Sequence, residues 1–183
     1  MTKIVQNGEA VLREVAKEVP GNEIRSPKIA AILGRMKKAL DSQEDGVAIA
    51  APQIGELLRI FVVSERTFDV PKKVGERREQ KKDINKKYGH LVFINPVVTK
   101  ISKDKAWLEE GCLSVRYKYG KIERAVKATV AALDENGKKF TRGGSGLLAQ
   151  IFQHETDHLE GVLFIDKAID VKDILPKESI KDS

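Results

Sequence analysis

The chain has 183 residues, a formal net charge of +6 and a single cysteine. This length suits one domain that buries its own core, and one cysteine excludes an intramolecular disulfide framework. An apolar share of 41% excludes global disorder, and no stretch reaches the roughly 20 apolar residues that cross a bilayer.

Met1 to Pro20 lacks an apolar run of signal-peptide length, so a cytoplasmic location without membrane association is expected. A helix is predicted from Ser26 to Ser42. Ser26 can cap it, Pro27 occupies the first helical position, and Ile29, Ile32, Leu33, Met36 and Leu40 share one face. Gly46 to Gln53 is a run of small residues ending in a polar one, and Leu57 to Val63 reads as a buried strand.

Residues 72–89 form a charged, weakly apolar insertion, read as a loop. Pro71 to Lys87 carries eight Lys/Arg against three acidic residues. No aromatic residues interleave with these charges, which favours a solvated loop over a base-stacking platform; specific DNA binding is not expected.

Leu91 to Ile94 and Val97 to Ile101 read as strand interrupted by Asn95-Pro96, and Ala106 to Glu109 as a short strand. Ala125 to Leu133 is a longer strand, closed by the turn residues Asp134 to Gly137, with Phe140 to Arg142 as its returning partner. Ser145 or Gly146 opens a helix that runs through Leu159 and stops at Gly161. Residues 176–183 read as a frayed polar tail. Short strands followed by one late helix predict a single α+β domain over 1–183, with mostly antiparallel sheet around a central helix.

That late helix carries His154-Glu155-Thr156-Asp157-His158. Residues four apart lie on one helix face, so both imidazoles can reach one metal ion, with Glu155 beside the open position. A catalytic site usually needs a third protein ligand. No histidine follows His158; Glu160 lies too close along the helix, and nothing in the sequence singles out Asp166, Asp170 or Asp173. Upstream stands the only thiol, Cys112, in Glu110-Gly111-Cys112-Leu113-Ser114. Thiolate and two imidazoles would hold a divalent metal and leave room for water.

Gly46 to Gln53, Glu110 to Ser114 and His154 to Leu159, in that order, resemble the three motifs of the peptide deformylase family. The resemblance implies an enzyme that removes the formyl group from N-terminal formylmethionine. It implies Cys112, His154 and His158 as ligands of one divalent ion, with Fe(II) favoured and Zn(II), Ni(II) or Co(II) also suited. It makes Glu155 the general base and then the acid, and Gln53 and the Leu113 N–H the oxyanion donors. Gly46, Ala48 and Ile49 fall in the site wall, Leu147 and Ile151 in the methionine pocket, and Glu110 pairs with Arg124 behind the metal. The implied partners are N-formylmethionyl peptides, with transient ribosome contact left open.

The chain departs from the family pattern at four positions. Ala48 replaces a usual glycine, Arg116 a usual proline, Tyr119 a frequent arginine, and Gln150 a commonly apolar residue. Three alternatives remain: a zinc endopeptidase with a downstream ligand, a non-enzymatic metal-stabilised or RNA-binding module, and a deformylase-like protein whose activity the Ala48 and Arg116 changes reduce.

Overall fold

The computed structural model describes residues 2–69 and 88–174. The predicted tail at 176–183 lies outside the described residues, as does the predicted insertion at 72–89 apart from Tyr88 and Gly89.

Helix α1 is Pro27–Asp41, and the Ser26 hydroxyl accepts from the Ile29 N–H at 3.3 Å. Strands β1 Ala48–Ala50, β2 Ile60–Ser64, β3 His90–Ile101, β4 Lys105–Gly111, β5 Lys118–Ala125, β6 Lys127–Leu133 and β7 Lys139–Ser145 follow. Helix α2, Leu147–Leu159, and β8, Ile169–Asp173, complete the order. The larger sheet runs β1-β2-β3-β6-β7 and the smaller β4-β5-β8; every pairing is antiparallel.

Alternation along the strands explains how the larger sheet is covered. Ile60 and Val62 join Ile49, Val92 and Ile94 on the α1 side. Phe61 and Val63 join Ala48, Phe93 and Val130 on the α2 side. Successive strand residues face opposite ways, so a strand buried on both faces reads as one unbroken apolar run. Phe61 stacks on Phe93 at 4.5 Å between ring centres, and Phe93 meets Phe152 of α2 edge-on at 5.5 Å. These rings fix the height of α2 above the sheet.

The α+β expectation agrees with this architecture; the element limits need correction. Asn95-Pro96 does not interrupt the strand: β3 runs through it with a register shift between Ile94 and Val97. Asn95 adopts φ 49°, and its amide exchanges two 2.8 Å hydrogen bonds with the Val19 backbone. The predicted strand at 125–133 is two elements, because Ala125 ends β5 and Lys127 starts β6. No expected strand corresponds to β1, β5 or β8. In β8 Ile169 and Val171 alternate with Asp170 and Lys172, but two apolar residues are too short a run to mark a strand, and every position stays exposed. Ser145 belongs to β7, and Gly146 precedes α2 at φ 56°. Among the described residues no helix is long and apolar enough to cross a membrane.

Gly161 ends α2 at φ 71°, and an added Cβ would lie 2.6 Å from the Arg13 carbonyl oxygen. Left-handed backbone and a close carbonyl both disfavour a side chain there. Gly161→Ala should destabilise the fold by roughly 1–3 kcal/mol in urea denaturation. A loss within the ~0.5 kcal/mol of an ordinary surface change would show that the backbone yields freely.

Candidate metal centre

Helix α2 lies on the aromatic layer with His154, Glu155 and His158 turned inward; all three are buried. Helical spacing sets the rings one above the other, with their Nε2 atoms 3.1 Å apart. The Cys112 Sγ approaches His158 Nε2 at 3.2 Å. The three donor atoms lie within 4.8 Å of one another.

Cys112 reaches the rings because β4 ends at Gly111, which pairs with Tyr119 of β5. An added Cβ on Gly111 would sit 2.5 Å from the Tyr119 ring, so glycine lets that ring cover the backbone just before the thiol. A turn follows, in which the Val115 N–H donates to the Cys112 carbonyl at 3.0 Å and the Ser114 N–H points at Sγ from 3.4 Å.

The groups behind the cluster decide which ring atoms face inward. Glu110 Oε1 accepts from His154 Nδ1 at 2.6 Å, so that His154, once it loses its second proton to a metal, presents the Nε2 lone pair toward Cys112 and His158. Arg124 grips the same carboxylate with Nε at 3.1 Å and Nη2 at 2.7 Å. Its Nη1 donates to Asp157 Oδ2 at 2.6 Å. Burial pushes the Glu110 pKa up, but the bonds from His154 and Arg124 outweigh burial and hold it at about 2. The ion pair expected between Glu110 and Arg124 is therefore present, bidentate and buried.

Glu155 stands in contrast. Its Oε2 is buried with no hydrogen-bond partner among the described residues. Burial raises its pKa to about 7, against the opposing pull of His154. Burial and neighbouring His154 also push His158 well below an ordinary histidine. Neutral imidazole, a nearby thiol and an unsatisfied carboxylate oxygen suit a divalent cation with a coordinated water. Cys112, His154 and His158 thus fit a metal.

Gln53 sits in the short helical turn Ala51–Ile54, before Gly55 at φ 82°. Its Oε1 accepts from the Ala50 N–H at 2.8 Å. Its Nε2 therefore faces the site, 3.2 Å from Ser114 Oγ and 3.5 Å from Cys112 Sγ. Above the cluster opens a cleft of about 330 Å³. Gly46, Ala48, Leu113, Leu147 and Ile151 line it, with Cys112, His154 and Glu155 at its base.

Ile49 is a correction. It is fully buried on the α1 face of the sheet and takes no part in the cleft wall. Strand alternation turns it away, and Val47 lines the cleft instead. Asp45 and Arg116 were also missed as partners. Arg116 grips Asp45 Oδ2 and Oδ1 at 2.6 and 3.1 Å and Gln43 at 2.8 Å, tying two segments of the cleft rim. Sequence distance hides such a pair.

The downstream carboxylates do not join the cluster. Glu160 pairs with Arg59, Asp166 with Arg13, Asp170 with Lys121 and Asp173 with Lys118. His90 pairs with Asp41. Among the described residues the donor set is Cys/His/His, and no endopeptidase-type third ligand accompanies it.

Fold and site together bring one thiol and two imidazoles into a group that could hold a metal ion, with a buried carboxylate beside it. Residues 1–173 match the family model described as Polypeptide deformylase, and the chain belongs to that family. A relative named peptide deformylase from Desulfitobacterium hafniense is 41% identical over 167 residues, covering 91% of this chain and 93% of its own. Peptide deformylase 1A, chloroplastic, of Solanum lycopersicum is 38% identical over 167 residues. The chain spans about three fifths of the length of that protein and of a second plant relative, 59% and 62%. A solved peptide deformylase from Legionella pneumophila superposes with a TM-score of 0.75 at 34% identity, covering 93% of this chain and 87% of its own.

Proposed function

We propose that this chain removes the formyl group from N-terminal formylmethionine of newly made polypeptides and releases formate. The observation that carries this reading is the convergence of Cys112, His154 and His158 within 4.8 Å, beside a buried Glu155 whose Oε2 has no partner among the described residues. Thiolate with two neutral imidazoles suits Fe(II), Zn(II), Ni(II) or Co(II), and the family favours Fe(II). When bound, the metal supplies hydroxide near neutral pH and polarises the formyl oxygen.

The chain's own groups do the rest. Glu155 accepts the proton of the attacking water and gives it to the leaving amine; burial already lifts its pKa to about 7 in the metal-free protein. The Gln53 Nε2, already turned inward, and the Leu113 N–H hold the negative charge that develops on the formyl oxygen. Leu147 and Ile151 offer apolar surface to the methionine side chain. Leu113 and the Ala48 methyl narrow the cleft, so that a formyl carbon bearing only hydrogen enters more readily than a larger acyl group. The substrate is a formylmethionyl peptide and the working location the cytoplasm; ribosome contact would fall to the basic segment at 72–89.

The test is formate release from formyl-Met-Ala-Ser by protein prepared without oxygen, with metal analysis on the same sample. Removing one of three ligands should cost more than the loss of a supporting partner. Cys112→Ala should therefore weaken metal binding by more than about 100-fold, the upper range for such partners. Full occupancy and wild-type affinity in that variant would remove Cys112 from the ligand set. Cleavage at internal peptide bonds with no formate released would favour the endopeptidase reading.

A further inference from the structure

We propose that Gln150 is a positioning residue that locks the thiol-bearing strand against the imidazole-bearing helix; this rests on the metal reading above. Gln150 lies on α2 one turn before His154, on the same face. Its Nε2 donates to the Glu109 carbonyl at 2.9 Å and to Glu110 Oε2 at 3.1 Å. Both acceptors stand near the end of β4, which runs into Gly111 and then Cys112. One amide therefore joins the backbone leading to the thiol and the carboxylate that orients His154.

The orientation of this amide is determined by chemistry. Turned over, its oxygen would face two acceptors, a carbonyl and an ionised carboxylate. As placed, it supplies the fourth donor to Glu110, after His154 Nδ1 and the Arg124 Nε and Nη2. A carboxylate offers about four acceptor sites, so this set fills it. Loss of the amide frees one edge of Glu110 and removes the tie on the Glu109 carbonyl. His154 and Cys112 then lose support together. The side chain also lines the cleft, so a pure wall role is the competing explanation.

Gln150→Met separates the two, because methionine keeps a long unbranched side chain but cannot donate. The wild-type protein and the variant are loaded with Co(II) without oxygen. Metal loss to a competing chelator is followed through the cobalt–thiolate absorption bands, alongside kcat and KM for formyl-Met-Ala-Ser. A positioning role predicts metal held about 10- to 100-fold more weakly, altered bands, and a fall in kcat without a rise in KM. Gln150→Leu should reproduce the metal loss, which guards against a peculiarity of methionine. Wild-type metal retention and unchanged bands in both folded variants, with only KM moved, would overturn the proposal and leave Gln150 as wall. If wild-type protein itself fails to hold Co(II) with thiolate bands, the metal reading fails first.

Discussion

Glu155→Gln is expected to keep the fold and the bound metal while losing about 10²- to 10⁴-fold of formate release. The two buried carboxylates at this centre differ sharply. Glu110 is held at about 2 by His154 and Arg124, with Gln150 adding a further hydrogen bond, and cannot take up a proton near neutral pH. Among the described residues Glu155 Oε2 has no partner, and burial lifts the group to about 7. Their surroundings drive the two acids apart, and the proposed mechanism uses Glu155 as proton carrier and Glu110 as permanent anion. Glutamine keeps the size of Glu155 and removes the proton carrier. Metal analysis and turnover on one preparation check the prediction. Near-normal turnover with full metal would mean that another group moves the proton.

Arg124→Met is expected to destabilise the metal-free protein by about 3–5 kcal/mol. Arg124 and Glu110 are 5% and 6% exposed, so water cannot replace the lost guanidinium. The substitution strips two hydrogen bonds from Glu110 and one from Asp157. Asp157 has Lys167 at 3.3 Å as a second cation, whereas Glu110 keeps only the neutral Gln150 amide and His154. The cost therefore falls mainly on Glu110. Urea denaturation of metal-free protein reads it directly, since bound metal would add its own stabilisation. Glu110→Leu combined with Arg124→Met should recover part of the loss, because the unpaired charge is gone. A loss below ~1 kcal/mol in the single variant, the range of exposed ion pairs, would show that water reaches the pair.

Local chemistry made much of this protein legible from its residues. Ser26 and Pro27 mark the start of α1 because capping depends on immediate neighbours. His154 and His158 declare a shared face because helical spacing is a local rule. The ordered motifs around Gln53, Cys112 and His154 fall together in the fold as a group that could hold a metal, since few residue types supply the atoms such a site needs. Other features depended on contacts between distant segments. The β8 strand offers only the short alternation of Ile169 and Val171, both exposed, and exists through its pairing with β5. Ile49 reads as a wall residue in its motif, yet the pleat of β1 turns it into the α1 core and leaves Ala48 and Val47 at the cleft. Asp45 meets Arg116 across 71 positions, a pairing that no local pattern encodes. Gln150 looked like a polar intrusion into an apolar pocket. Only the approach of β4 to α2 supplied the two acceptors that give its amide a role, because hydrogen bonding depends on which oxygens the fold brings within about 3 Å.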